Sequence, residues 1–153
     1  MVIEDLLSLA KMPVQTKQEL FLRLCSLNYL NTLVKKKEFK SVLGYGMIKP
    51  KVMHLAMNLV KNDKTGLCED ICFRPDEDCL FVKCYGLQFS FHHVGVRILE
   101  EECPELRNDE AQWDGVRLQP IAEPLYDLAK ETLEQGLGDE VVVDRIKALL
   151  TQE

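Results

Sequence analysis

From Leu20 to Val34 apolar residues return every three or four positions. Leu20, Leu24, Leu27 and Val34 fall on one helical face with Asn31 in register, and Phe21, Cys25 and Leu30 widen it. Ahead of them Thr16-Lys-Gln-Glu19 has the form of a capping box, in which hydroxyl and carboxylate satisfy each other's backbone amides. The pattern predicts a helix over 16–37 that ends in Lys35-Lys36-Lys37, where positive charge suits the negative end of the helix dipole. Before it, Val2 to Leu9 predicts one or two helical turns, interrupted by Pro13. After it, a turn punctuated by Gly44 and Gly46 leads to Pro50, placed near the start of a helix over 50–62. Val52, Met53, Ala56, Leu59 and Val60 are its apolar face, and Asn62 to Gly66 stop it.

The period then changes from helical to alternating. Cys68 to Phe73, Cys79 to Tyr85 and Leu87 to Ile98 are rich in aromatic and β-branched residues, and Arg74 to Asp78 read as a turn. In the third run Leu87, Phe89, Phe91 and His93 point one way and Gln88, Ser90 and His92 the other. Gly86 fits either a tight turn or a bulge. A polar, acidic stretch from Glu100 to Asp114 reads as loop. Helices follow over 120–135, with Ile121, Leu125, Leu128, Ala129 and Leu133 as its stripe, and over 139–150, with Val142, Ile146, Leu149 and Leu150; Gly136 and Gly138 separate them and Asp139 caps the second. Helices, then strands, then helices predict a single α+β domain over 1–153, with an antiparallel sheet of three to four strands over 67–99 carrying helices on one face.

Length and composition narrow the class. At 153 residues and 46% hydrophobic content the chain has the material for one core. Its longest lipid-like run, Leu55 to Val60, falls far short of the roughly 20 residues of a membrane span. Acids at Glu4 and Asp5 stand where an export leader carries bases, so a cytoplasmic location and reduced cysteines are expected.

Charge separates along the chain. Residues 1–64 hold eleven bases and five acids, a net of +6, whereas residues 65–153 hold eight bases and twenty acids, a net of −12. Segregated charge steers partners of opposite sign. On the basic side Lys35, Lys36, Lys37, Lys40, Lys49 and Lys51, with Phe39 and Tyr45 among them, form a candidate anion-binding set for single-stranded nucleic acid, although it has no Arg and the whole chain is acidic. Lys49 and Lys51 also follow the Gly44 and Gly46 turn into a helix start, an arrangement that can hold an anion but lacks a phosphate-loop pattern. On the acidic side Glu101, Glu102, Asp109 and Glu110 surround Trp113, the only tryptophan, in a design suited to a basic protein surface.

Other constellations compete with plain structural accounts. Cys68, Cys72, Cys79 and Cys84 have the ligand type of a zinc site, but their spacings differ from the paired short spacings of zinc motifs, and buried packing thiols are the favoured account. His92 and His93 offer a titrating base near Asp76 and Glu100, yet adjacent strand residues face opposite ways and no nucleophile motif accompanies them. The expectation is therefore a small binding protein of regulatory, inhibitory or immunity type that needs no cofactor and docks another protein through the acidic loop. Its alternatives are a polyanion binder using the lysines and an enzyme using His93 with a carboxylate. A homo-oligomer through an unpaired sheet edge is a further expectation.

Overall fold

The computed structural model describes residues 2–34, 45–61, 63–74, 79–92 and 121–151. Helix α1 spans Val2–Ala10, α2 Lys17–Val34 and α3 Tyr45–Val60; strands β1 (Asp70–Arg74), β2 (Cys79–Cys84) and β3 (Leu87–His92) follow, and α4 (Ala122–Gln135) and α5 (Asp139–Thr151) close the order. The sheet is antiparallel in the order β1-β2-β3, so the α+β architecture stands as the pattern predicts.

Helix α2 is the hub. Nine consecutive residues, Leu20 to Asn28, are buried around the whole circumference of the helix. Helices α1, α3 and α4 and strand β3 all pack against it, while α3 also covers β2 and β3 and α5 packs on α4. The start of α2 is set by local chemistry. Glu19 N–H donates to Thr16 Oγ1 at 3.1 Å, and Glu19 Oε1 accepts from the amides of Thr16 and Gln15 at 3.0 and 3.1 Å, which completes the capping box. Polar side chains inside the buried stretch turn to nearby carbonyls: Ser26 Oγ donates to Leu22 O at 2.7 Å, and the Arg23 guanidinium, only 3% exposed, donates to Pro13 O at 3.2 Å. Arg23 Nε and Asn28 Nδ2 are buried without a hydrogen-bond partner among the described residues.

One boundary and two buried positions differ from the pattern, and the Gly86 alternative is decided. Helix α3 begins at Tyr45, so Gly46 and Met47 are helical rather than part of a turn, and Pro50 sits in the second helical turn. A proline there forgoes only the bond to the Gly46 carbonyl, close to an end where amides lack partners anyway. Leu133 and Leu150, placed in buried stripes by their spacing, are exposed, because the peripheral α4–α5 hairpin buries only its inner flank. Gly86 makes a tight turn: Tyr85 and Gly86 have φ of 52° and 76°, the paired positive values of a two-residue hairpin turn. Helix α4 stops at Gly136, whose φ of 65° lets its own amide and that of Leu137 both reach the Thr132 carbonyl.

The helix-facing side of the sheet alternates as the pattern predicts. Leu80, Val82 and Cys84 on β2 pair with Phe91, Phe89 and Leu87 on β3, and all six are buried under the helices. Phe81, on the opposite face, is also fully buried. No described helix is long and apolar enough to cross a membrane.

Two outcomes follow for stability. Leu24→Ala in the centre of α2 lowers the unfolding free energy by about 2–5 kcal/mol in urea denaturation. Arg23→Met, which exchanges a buried, incompletely bonded cation for an apolar side chain of similar length, stays within about 1 kcal/mol of the parent or exceeds it. Acid is the second lever. The amides and hydroxyl at Gln15 and Thr16 hold the Glu19 carboxyl below its usual range. The Lys17 ammonium and the Tyr85 hydroxyl do the same for Asp139. For Asp63 burial pushes upward, but the Thr65 hydroxyl and amide and the Cys68 amide together outweigh it, and the net direction is downward. Depressed carboxylates stabilise above their unfolded values and lose that contribution as pH falls through the folded ones. Stability therefore declines below about pH 4.5, and Asp63→Asn with Asp139→Asn flattens that decline in a pH series of urea midpoints.

Candidate functional site

Most of the sequence candidates lie outside the described residues: Lys35, Lys36, Lys37 and Lys40, His93, and the whole acidic set of Glu101, Glu102, Asp109, Glu110 and Trp113. Lys49 and Lys51 lie on α3, and His92 is the last residue of β3, across from Cys79.

The cysteines are more informative. Cys84 faces the helices from β2 and is fully buried, as is Cys25 on α2; burial first, then the neighbouring Cys25, pushes the Cys84 thiol up. Cys72 pairs with Phe81, one face away from Cys84, so the sheet itself separates these two sulfurs. Burial, with a contribution from the neighbouring Asp63, pushes the half-buried Cys68 thiol up to about 12. Cys25, Cys68, Cys72 and Cys84 are free thiols, and among the described residues no three His, Cys, Asp or Glu side chains gather where they could hold a metal. Thiols held protonated by burial are packing groups rather than ready thiolate ligands or nucleophiles.

Several described carboxylates tie the fold together. Asp63 Oδ1 accepts from the amide and hydroxyl of Thr65 at 2.7 and 2.6 Å, and Oδ2 accepts from the Cys68 amide at 3.1 Å, which closes the loop into the sheet. Asp139 joins three elements: Lys17 Nζ at the start of α2 donates to Oδ2 at 2.9 Å, and the hydroxyl of Tyr85 in the β-hairpin donates to Oδ1 at 2.9 Å. The Tyr85 ring meets Phe21 edge to face at 5.0 Å, and burial first, then Asp139, raises its hydroxyl's pKa. That anchorage offsets the positive φ at a residue other than glycine.

Two surface features remain as sites. The first is a stripe along α4. Glu123, Asp127, Glu131 and Glu134 are spaced four, four and three apart, on one face of the helix. Tyr29 of α2 donates to Glu123 Oε2 and stacks at 5.5 Å on Tyr126, whose ring carries Lys130 Nζ at 4.7 Å from its centre. The Glu123 bond raises the Tyr29 hydroxyl to about 12. Lys130 lies 3.7 Å from Asp127 and Arg145 pairs with Glu131, while Glu134 has no ion pair among the described residues. The stripe offers carboxylates beside two aromatic rings. Its spacing is legible in the sequence, but the denser acidic run before it draws attention away. The second feature is a cleft of about 610 Å³ between the α1–α2 turn and the end of α3, with Leu20, Leu55 and Leu59 on its walls and Lys11, Lys64 and Asp63 among its polar residues. It supplies apolar contact and two ammonium groups, with Asp63 already held by its own loop.

No family model matches this chain, and no curated protein or solved structure matches it either.

Proposed function

We propose that this chain acts by binding a basic protein partner through an acidic face, as a regulatory or inhibitory module. The observation that carries this reading is the carboxylate stripe on α4. Within residues 121–151 seven acids face three bases, a net of −4, and the stripe gathers four of those acids beside Tyr29 and Tyr126. Carboxylates speed and orient the approach of a basic surface, and aromatic rings supply contact area once it arrives. The acidic run from Glu100 to Asp114 precedes α4 directly in sequence and adds Glu101, Glu102, Asp109, Glu110 and Trp113 to the same reading.

Lys130 and Arg145 offset part of the charge on this face, and Glu134 has no ion pair among the described residues. Helix α3 and the residue after it carry Lys49, Lys51 and Lys61 and no acid, and α3 packs on α2 and the sheet while α4 packs on α2 and α5. Polyanion binding through α3 is the competing reading, and one experiment separates the two. Binding of a Lys- and Arg-rich peptide and of a single-stranded oligonucleotide is followed by fluorescence anisotropy at low and moderate salt. Neutralising Asp127, Glu131 and Glu134 together with Glu101, Glu102 and Asp109 weakens the peptide about tenfold or more, and Lys49→Gln with Lys51→Gln changes it less than about twofold. An oligonucleotide that binds, is sensitive to the lysine changes and is indifferent to the acidic ones overturns the proposal.

A further inference from the structure

Strand β1 is poorly covered by the described elements. Among the described residues it pairs with β2 alone, and in the order β1-β2-β3 it is the edge strand. Its register sets Ile71 beside Val82 and Phe73 beside Leu80, on the face that the helices cover. Val82 and Leu80 are fully buried, yet Ile71 is 39% and Phe73 43% exposed. Among the described residues the helical layer thus ends over β2, and the sheet projects one strand beyond it. Native edges are usually guarded by Lys, Pro or a charge pointing inward. The five residues Asp70-Ile-Cys-Phe-Arg74 contain neither Lys nor Pro, and their charges stand only at the two ends.

We propose that β1 pairs antiparallel with β1 of a second copy of this chain, about a two-fold axis at Cys72, to make one continuous six-stranded sheet. The strand is complementary to itself in that register. Ile71 of one copy comes opposite Phe73 of the other, Phe73 opposite Ile71, and Asp70 opposite Arg74 at both ends. Directly opposed residues share a face of the sheet. The four apolar side chains therefore collect on the helix-covered face and fill the gap between two helical layers, while Cys72 takes the other face. A register slipped by one residue would set an apolar side chain against a charged one and turn the exposed pair to the wrong face. An unrelated strand would have no need of this symmetry, which is why the occupant is a second copy. A strand of five residues buries less than the roughly 800 Å² per partner of a standard stable interface, so the dimer is reversible and depends on concentration. The inference stands apart from the acidic face on α4.

Charge exchange across the axis tests the register itself. Sedimentation equilibrium of the full chain over about a hundredfold range of concentration shows a monomer–dimer equilibrium. Asp70→Arg alone and Arg74→Asp alone each set like charges opposite one another at both ends and weaken self-association about tenfold. An equimolar mixture of the two variants restores both attractive pairs and dimerises as tightly as the parent. A short bis-maleimide links two parent chains through Cys72, whose Cα atoms stand about 4.5–5.5 Å apart across the axis, and Cys72→Ser abolishes the linked product. The cross-linking arm uses the parent fold and decides the matter even if a charge variant fails to fold by circular dichroism. A monomer at every concentration, a dimer indifferent to both charge reversals, a mixture no tighter than its components, or a cross-link that survives Cys72→Ser overturns the proposal.

Discussion

Everything in this fold is arranged around a helix with no outside. From Leu20 to Asn28 α2 is enclosed by α1, α3, α4 and the sheet, and each of these elements has its own apolar side satisfied by resting on it. The constraint is severe for the polar residues within that stretch. Ser26 turns back to its own helix, and Arg23 reaches the carbonyl of Pro13 in the turn that starts the helix. A cation in that position links the end of α1 to the body of α2, so the enclosure and the α1–α2 turn are coupled. The start of α2 is fixed twice more, by the capping box at Thr16 and Glu19 and by the Lys17 bond to Asp139 of α5.

The same constraint explains what could be read from the residues alone. Local chemistry was legible: Thr16 and Glu19 announce a helix start, Gly136 a helix stop, and the alternation from Leu87 to Phe91 a half-covered strand. Long-range cover was not. Periodicity identifies one apolar face, and a helix surrounded on all sides has none to single out, so the burial of Arg23, Ser26 and Asn28 left no signature. The Tyr85-Gly86 pair was ambiguous because Tyr85 adopts a conformation usual for Asn or Gly, and only its distant contacts with Asp139 and Phe21 hold it there. Alternation likewise told which face of β1 Ile71 and Phe73 share without telling how far the helices reach across the sheet.

For function, the division of labour among carboxylates matters more than their number. Glu19, Asp63 and Asp139 accept bonds that tie the fold's own elements together, whereas the α4 stripe stands free of such ties apart from Glu123 and Glu131, with partial compensation from Lys130 and Arg145. The sequence candidates weighted the acidic loop and the lysine run; the structure adds Tyr29 beside the helix stripe and the exposure of Ile71 and Phe73 on β1. The stripe belongs to a helix packed directly on α2, which keeps its geometry prepared before any partner arrives.

The enclosure of Cys25 and Cys84 between α2 and the sheet has a chemical corollary. Neither sulfur meets solvent, and burial keeps both protonated. Oxidants and alkylating agents therefore reach them only during excursions that part the central helix from the strands, which makes the pair an intrinsic clock for how often the molecule opens.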